Sequence, residues 1–342
     1  MTTIRDVAKL AGVAPITVSR VINHNGYFTE ETRGRVQNAI EQLGYVPNKL
    51  ARSLRLRKTS MLALVLTDIT NPFWTTVARG VEDAASDAGF NLILCNTDES
   101  DLKEEKYLKV LLERQVDGIL LVPSTNQAEP ILMAQRQGVQ VVIIDRRLDG
   151  ELFADVVRSD SFGGAYQLTR HLLALGHRRI VMLAGPRDVS TAEDRRAGFL
   201  KALEDARQPV TSQNVLYGEF TIESGHRQAD QALNRSPGPT ALFAANNFIA
   251  IGAYRAIRQK GLSVPEDVSL VGFDDLPSEL VWEPFLTVAA QPAYEMGHRA
   301  TEVLLDRMAE AAREAPQRNF EDIILPVETI VRKSTRACKP EN

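Results

Sequence analysis

The sequence predicts a small all-α helix-turn-helix domain followed by an α/β core of two lobes, each built on a doubly wound parallel sheet. The first 60 residues hold three short amphipathic segments with helix caps. Beyond them, short aliphatic runs alternate with helical stretches, which is typical of parallel sheets covered on both faces. The charge divides in the same way. Ten Lys or Arg and four Asp or Glu give residues 1–60 a net charge of +6, against −10 for the remainder.

The composition of the 342 residues is that of an ordinary globular protein, with 44% apolar and 25% charged residues. No apolar run approaches the roughly 20 residues of a membrane span. The N-terminus also lacks the charged-then-apolar pattern of a signal peptide. The two cysteines, Cys95 and Cys338, are too few for a disulfide framework or a zinc site. We therefore expect a cytoplasmic protein that does not associate with membranes.

Residues 1–47 are predicted to form the helix-turn-helix domain. Thr3 caps a first helix that ends at Gly12, Pro15 opens a second helix, and Thr29 caps a third. The basic charge beside these helices indicates a polyanionic partner. A helical hairpin with no role in DNA binding is the alternative.

The second helix, "PITVSRVI", has an apolar side suited to the core and a polar side suited to the DNA major groove. Arg20 can bond the two acceptors of a guanine, and Pro15 and Ile16 can meet thymine methyl groups. The other polar side chains suit phosphate oxygens. The residues predicted to contact DNA from this helix are Pro15, Ile16, Thr17, Ser19, Arg20 and Asn23.

Residues 48–58, "NKLARSLRLRK", are predicted to form a hinge helix. So short a helix is marginal alone and would form when DNA phosphates neutralise its charge. Leu54 would then act as an apolar wedge in the minor groove, flanked by Arg52 and Arg55 as further DNA contacts. A charged linker that only tethers two domains is the alternative.

Residues 59–342 are predicted to form the effector-binding and dimerisation core. The first lobe would take about 61–160 plus 291–320, and the second about 161–290 plus 321–336. No Gly-rich dinucleotide turn, P-loop, nucleophile elbow or HExxH motif is present, and the five His residues lack metal-ligand spacing. We therefore expect no catalysis, no cofactor and no metal.

Polar and aromatic residues recur just beyond the carboxyl ends of the predicted strands, where open α/β sheets bind ligands. Their carboxylates, amides, guanidinium groups and aromatic faces suit a neutral polyhydroxylated ligand. A purine is the second candidate, since amides and aromatic rings also suit a base. The predicted effector-binding residues are Asn71, Phe73, Trp74, Asp145, Arg146, Asp160, Arg195, Asn246, Asp274 and Gln291.

Several motifs resemble the LacI/GalR family of bacterial repressors. They are "TIRDVAKLAGV", "TVSRVIN", "GYVPN" and "ARSL" in the first 60 residues, and "NPFW", "IDR", "AEDRRAGF", "VGFDD" and "AAQP" in the core. The resemblance implies that Pro15, Ile16 and Arg20 read bases and that Leu54 intercalates in the minor groove. It also implies a core similar to ribose-type periplasmic binding proteins, with a sugar-contacting cleft.

The sequence thus predicts a dimeric, sequence-specific transcription repressor whose affinity for operator DNA is controlled by a small effector, with a sugar as the first candidate. A purine- or phosphoprotein-responsive regulator of the same family is one alternative. A sugar-binding transport protein is another, although it would explain the core and not residues 1–58.

Overall fold

The structure is a computed structural model of the chain, which divides into two compact units, Met1–Thr59 and Ser60–Asn342. The described residues are 2–23, 25–46, 59–276, 284–313 and 318–339. Within these ranges, no helix is both long enough and apolar enough to cross a membrane.

Three short helices around a small apolar core form the first unit. They are α1 (Ile4–Ala11), α2 (Pro15–Ile22) and α3 (Glu30–Leu43). The backbone N–H of Thr3 donates to the Asp6 carboxylate (2.8 Å), and the Thr29 hydroxyl accepts from the N–H of Thr32 (3.2 Å). The predicted helix-turn-helix fold is confirmed. Its fully or nearly fully buried core consists of Val7, Ala8, Ala11, Val18, Val21, Val36 and Ala39.

The first lobe of the second unit is built on a six-stranded sheet, and all its described strand pairings are parallel. Its strands are β1 (Met61–Leu66), β2 (Asn91–Asn96), β3 (Gly118–Leu121), β4 (Gln140–Ile144), β5 (Asp155–Ser159) and β11 (Asp322–Leu325). They lie in the order β11-β5-β4-β3-β1-β2. The helices of this lobe are α4 (Pro72–Asp87), α5 (Asp101–Glu113), α6 (Glu129–Arg136) and α11 (Ala293–Ala312).

The second lobe repeats this plan. Its strands are β6 (Ile180–Ala184), β7 (Val215–Tyr217), β8 (Ala241–Ala244), β9 (Ser269–Phe273), β10 (Thr287–Ala290) and β12 (Glu328–Ile330). They lie in the order β12-β10-β9-β8-β6-β7, and the β10–β12 pair is antiparallel. Its helices are α7 (Ser161–Ala174), α8 (Ser190–Asp205), α9 (Ile222–Leu233) and α10 (Asn247–Gln259), with a 3₁₀ turn at Ser212–Asn214.

Both faces of the first sheet are buried, as its uniformly apolar strands predict. In β1, Leu62 and Leu64 lie in one apolar cluster, and Ala63 and Val65 lie in the cluster on the opposite face. Helices α4 and α11 cover the first of these faces at close range. A Cβ atom at Gly80 in α4 would lie only 2.1 Å from a carbonyl oxygen of α11, so this crossing requires glycine. The two-lobed α/β fold predicted from the sequence is confirmed.

One lobe boundary differs from the prediction. Residues 321–336 were expected in the second lobe, yet β11 pairs in parallel with β5 at the edge of the first sheet. Two hydrogen bonds from the Arg158 guanidinium to the Asp322 carboxylate, both 2.8 Å, fasten this edge. The "DIIL" segment is too short for sequence patterning to identify its partner strand. The final passage into the second lobe therefore falls between β11 and β12.

Candidate functional site

A cavity of about 600 Å³ lies in the second unit, at the carboxyl ends of strands from both lobes. Its volume is in the range of small-molecule sites, which is roughly 300 to 1,000 Å³. The structure brings nine of the ten predicted effector-binding residues to its wall. They are Asn71, Phe73, Trp74, Asp145, Arg146, Arg195, Asn246, Asp274 and Gln291.

Two aspartates occupy matching places in the two lobes. Asp145 directly follows β4 and Asp274 directly follows β9. Both adopt left-handed backbone conformations, with φ of 66° and 67°, and their side chains line the cavity although the residues are almost wholly buried. Non-glycine residues rarely adopt this conformation, and such backbone strain concentrates at functional sites. Each lobe therefore contributes one buried carboxylate to the cavity.

Burial sets the electrostatics of these two carboxyl groups. It raises the pKa of Asp145 to about 6, because the nearby Arg195 and Arg146 offset the lost hydration only in part and Asp274 adds repulsion. Burial likewise raises the pKa of Asp274, against the opposing influence of Arg195 and of a hydrogen bond from Gln291. The cavity thus contains acidic groups that are readily stabilised by a ligand that donates hydrogen bonds.

The buried carboxyl of Asp145 is expected to make stability depend on pH. The pKa of this carboxyl is about 6 in the folded chain and 3.8 in the unfolded chain, so its protonated form stabilises the fold at low pH. This contribution of about 3 kcal/mol to the free energy of unfolding is lost as pH rises through about 6. The Asp145→Asn variant has no titrating group at this position, so its stability does not decrease in this way as pH rises. Its free energy of unfolding should therefore increase relative to that of the wild type between about pH 4 and about pH 7, as measured by urea unfolding. A difference between the two proteins that does not change with pH would contradict this assignment.

Buried polar atoms without a hydrogen-bond partner collect at this cavity. Among the described residues, four such side-chain atoms occur, and three belong to residues of the cavity wall: Thr67 Oγ1, Asp145 Oδ1 and Arg146 Nε. Buried polar groups are normally paired, so each unpaired atom calls for an explanation. A ligand hydroxyl can donate to the carboxylate and accept from a guanidinium, and it would satisfy both kinds of atom.

The two cavity arginines are both anchored by the protein. Arg146 donates to both carboxylate oxygens of Glu99 (2.7 and 2.6 Å) and to the carbonyl oxygen of Pro123 (2.9 Å). Arg195 donates to the carbonyl oxygen of Ala245 (2.8 Å), and its guanidinium lies over the Phe273 ring, 3.9 Å from the centroid. Their orientation is therefore set before a ligand arrives.

Direct contacts join the two lobes beside the cavity. The side-chain amides of Asn71 and Asn247 exchange two hydrogen bonds, of 3.0 and 2.8 Å. Arg147, which follows β4, makes a bidentate ion pair with Asp194 of α8 (2.7 and 2.9 Å). These polar contacts hold the lobes together without sealing the cavity between them.

Gln291 completes the cavity at the point where the chain passes between the lobes. Its side-chain amide donates to Asp274 and accepts from the Ser159 hydroxyl. Asn246 lines the wall, but its side-chain oxygen also accepts from the backbone N–H of Ile249 (2.8 Å) and caps α10. Only the amide nitrogen of Asn246 is thus left to donate to a ligand.

Asp160 is the predicted residue that the structure does not bring to the cavity wall. Its carboxylate accepts from the backbone N–H of Gly163 (2.7 Å) and caps the N-terminus of α7. An aspartate between a strand and a helix is equally suited to capping and to ligand contact, so its sequence position did not separate the two roles.

The cavity wall also includes residues that sequence reasoning missed. Asp98 and Glu99 follow β2, and residues 219–221 follow β7. The strand-end rule that identified the other residues applies to these two strands as well, and would have found them. The missed lining residues are Thr67, Asp68, Thr70, Asp98, Glu99, Ser124, Pro186, Asp188, Val189, Thr191, Glu219, Phe220 and Thr221.

In the first unit, α2 separates an inner face from an outer face. Val18 and Val21 are buried, whereas Pro15, Ile16 and Arg20 are exposed. Exposure of an isoleucine and an arginine on the second helix of a helix-turn-helix is what base contact in a major groove requires.

The remaining predicted DNA contacts differ in their surroundings. Thr17, Ser19 and Asn23 are half-buried, and the Asn23 side-chain amide donates to the carbonyl oxygen of Ser19 (2.6 Å) at the end of α2. Three predicted contacts lie outside the described residues: Arg52, Leu54 and Arg55.

Each of the two units matches the model of a known protein family. The model "Bacterial regulatory proteins, lacI family" matches residues 3–48, and "Periplasmic binding proteins and sugar binding domain of LacI family" matches residues 59–329. The HTH-type transcriptional regulator DegA of Bacillus subtilis (strain 168) is 37% identical over 342 residues, covering 98% of each chain.

Two solved structures extend the similarity. A transcriptional regulator CelR–cellobiose complex is 34% identical with a TM-score of 0.73, over 98% of this chain and 100% of that one. The lac repressor dimer bound to operator and the anti-inducer ONPF is 27% identical with a TM-score of 0.84, over 98% of this chain and 99% of that one. The chain therefore belongs to the LacI family of bacterial regulatory proteins and is a DNA-binding transcription regulator.

Proposed function

We propose that the chain is a homodimeric repressor whose affinity for operator DNA is controlled by a neutral sugar bound in the cavity between the two lobes of the core. The observation that carries the proposal is the pair of buried aspartates, Asp145 and Asp274, one from each lobe, at a wall with unpaired polar atoms.

The chemistry of the cavity favours hydroxyl groups. Asp145 and Asp274 accept hydrogen bonds, Arg146 retains an unpaired Nε donor, and Thr67 has a hydroxyl that can do either. A sugar offers several hydroxyl groups at close spacing, each able to donate and accept. The bound ligand of the similar CelR structure, cellobiose, has this chemistry.

The aromatic residues of the wall are consistent with a sugar. The rings of Phe73 and Trp74 meet edge to face, with centroids 4.8 Å apart at 72°. Both are nearly buried in the apolar cluster beneath the cavity, so they offer ring edges and small apolar patches rather than an open stacking platform. A purine needs such a platform more than a sugar does, and it remains the second candidate.

A ligand that touches both lobes acts on the equilibrium between closed and open forms. It can shift that equilibrium only by the difference between its affinities for the two forms. Contacts to Asp145 and Asp274 exist together only when the lobes are close, so such a ligand favours the closed form. The Asn71–Asn247 and Arg147–Asp194 contacts would favour the same form before the ligand binds.

DNA recognition is assigned to the exposed face of α2. We propose that Pro15, Ile16 and Arg20 contact base edges, that Thr17, Ser19 and Asn23 contact phosphates, and that Arg52, Leu54 and Arg55 add contacts from residues 48–58. Two copies on a twofold-symmetric operator would place two such helices in successive major grooves. The proposal is of a binding protein, not an enzyme, acting on DNA in the bacterial cytoplasm.

Operator selection tests the proposed function. The full-length chain is used to select from a pool of random-sequence DNA, and the selected DNA is then titrated with and without sugars and purines. We expect an inverted-repeat operator and at least one sugar that changes the affinity for it. Selection of no sequence, or a response to purines only, would contradict the proposal.

A further inference from the structure

The cavity wall carries far more negative than positive charge. Among its lining residues are seven carboxylates and two guanidinium groups. The carboxylates belong to Asp68, Asp98, Glu99, Asp145, Asp188, Glu219 and Asp274. Acidic residues alone do not define a ligand site. Here, however, one of the lining residues, the nearly buried Asp145, also has a carboxyl oxygen without a hydrogen-bond partner.

Both guanidinium groups of the cavity wall already donate hydrogen bonds to other groups of the protein. Arg195 donates to the carbonyl oxygen of Ala245 and to the Ser161 hydroxyl, and its flat face is covered by Phe273. A phosphate or carboxylate on a ligand is bound most strongly by a bidentate pair of guanidinium N–H groups. At Arg195 such a group would share the guanidinium with the Ser161 hydroxyl and the Ala245 carbonyl oxygen.

Arg146 is neutralised by a neighbour from another strand end. Glu99, after β2, accepts from both terminal nitrogens of Arg146 at 2.7 and 2.6 Å in a fork-to-fork pair. Arg146 is nearly buried, whereas the Glu99 side chain is 42% exposed. Glu99 therefore occupies the position on Arg146 that an anionic group of a ligand would take.

The backbone around Glu99 is shaped to hold this carboxylate. Asp98 and Glu99 are consecutive residues with left-handed φ values of 51° and 57°. Such a conformation is costly for non-glycine residues and persists only where the surroundings impose it. The Asp98 carboxylate is bound separately, by Lys103 and by the Asn96 amide (2.5 Å), and makes no contact with Arg146 in the described hydrogen bonds.

We propose that Glu99 is a specificity-determining residue that makes the cavity reject anionic effectors, such as phosphorylated sugars, and accept uncharged or cationic ones. This inference rests on the proposed effector-binding role of the cavity and adds the chemical class that the site excludes. An anionic group at Arg146 must either displace Glu99 or lie beside its carboxylate, and both cost binding free energy.

The test measures binding of inorganic phosphate, a minimal anionic probe, to the full-length chain. The chain contains two tryptophans, Trp74 in the cavity wall and Trp282. In a Trp282→Phe background the fluorescence of Trp74 reports the cavity alone. Phosphate is titrated at constant ionic strength into this background protein and into its Glu99→Gln and Asp98→Asn variants.

The two variants remove the same charge from the same turn, and only Glu99→Gln releases Arg146. We expect phosphate to bind Glu99→Gln about tenfold or more tightly than the background protein, since a freed guanidinium makes charge-assisted hydrogen bonds. Asp98→Asn should gain much less. Glu99→Ala, which cannot form the pair at all, should change in the same direction as Glu99→Gln.

Equal phosphate affinity in Glu99→Gln and Asp98→Asn would overturn the inference, because the effect would then reflect general charge. Tight phosphate binding by the background protein would overturn it as well. Neither result depends on operator binding or on sugars. Failure here is therefore distinguishable from failure of the proposed function, which would appear as a cavity ligand without effect on the operator.

Discussion

The Asp274→Asn variant is expected to lose its response to the effector while its affinity for operator DNA stays unchanged. Asp274 is almost wholly buried, lines the cavity and provides the second lobe's carboxylate. A hydrogen bond to a charged group contributes about 1.5–3 kcal/mol, so its loss lowers effector affinity roughly tenfold to a hundredfold. The proposed DNA contacts belong to the other unit of the chain, and asparagine preserves the side-chain volume.

Calorimetric titration of the effector, beside operator binding with and without it, measures both properties. Asp160→Asn is the matched control, because Asp160 is also an aspartate after a strand but caps α7 outside the cavity wall. This control should keep the wild-type affinity for the effector. An Asp274→Asn variant that responds at wild-type effector concentrations would show that the ligand binds elsewhere.

Replacement of Arg20 by alanine is expected to have the largest effect on DNA recognition. Arg20 is exposed on α2, opposite the buried Val18 and Val21. Loss of a side chain that reads a guanine should cost about 1–3 kcal/mol on the operator and relax selectivity at one base pair. Fluorescence anisotropy with the operator, its single-base variants and random DNA measures this loss of specificity.

Arg33→Ala provides the comparison, since it removes the same charge from α3. Arg33 lies over the Phe28 ring at 5.8 Å from its centroid and pairs with Glu30 at 3.3 Å. We expect its removal to lower binding by a similar factor on operator and random DNA, if it lowers binding at all. If Arg20→Ala behaves in the same way, Arg20 contacts phosphate and does not read a base.

The fold could be predicted from sequence because its signals are local. Caps such as Thr3 and Thr29 mark helix starts within a few residues, and a run such as "MLALVLT" identifies a strand buried on both faces. Strand β11 was assigned to the wrong lobe because the sheet that a strand joins is not a local property of the sequence. Its four residues carry no local sign of which sheet they join, and the pairing with β5 joins segments more than 160 residues apart.

The site was predictable as far as strand ends determine it. The rule that ligands lie beyond the carboxyl ends of parallel strands placed Asp145 and Asp274 correctly at the cavity wall. The rule does not tell which of these polar groups are paired with other side chains of the protein and which remain available to a ligand. The Glu99–Arg146 pair spans 47 residues and the Asn71–Asn247 pair spans 176, so neither has a sequence signal.

A ligand in the cavity and an operator on the α2 face are expected to influence each other's binding. Thermodynamic linkage requires this coupling to be reciprocal. The test uses the sugar identified by titrating the selected operator in the presence of sugars. Its dissociation constant is measured from Trp74 fluorescence with and without operator, and the operator's dissociation constant is measured with and without saturating sugar. We expect both constants to change by the same factor, on the order of 5 to 150. A sugar that binds in the cavity while both factors equal one would contradict it.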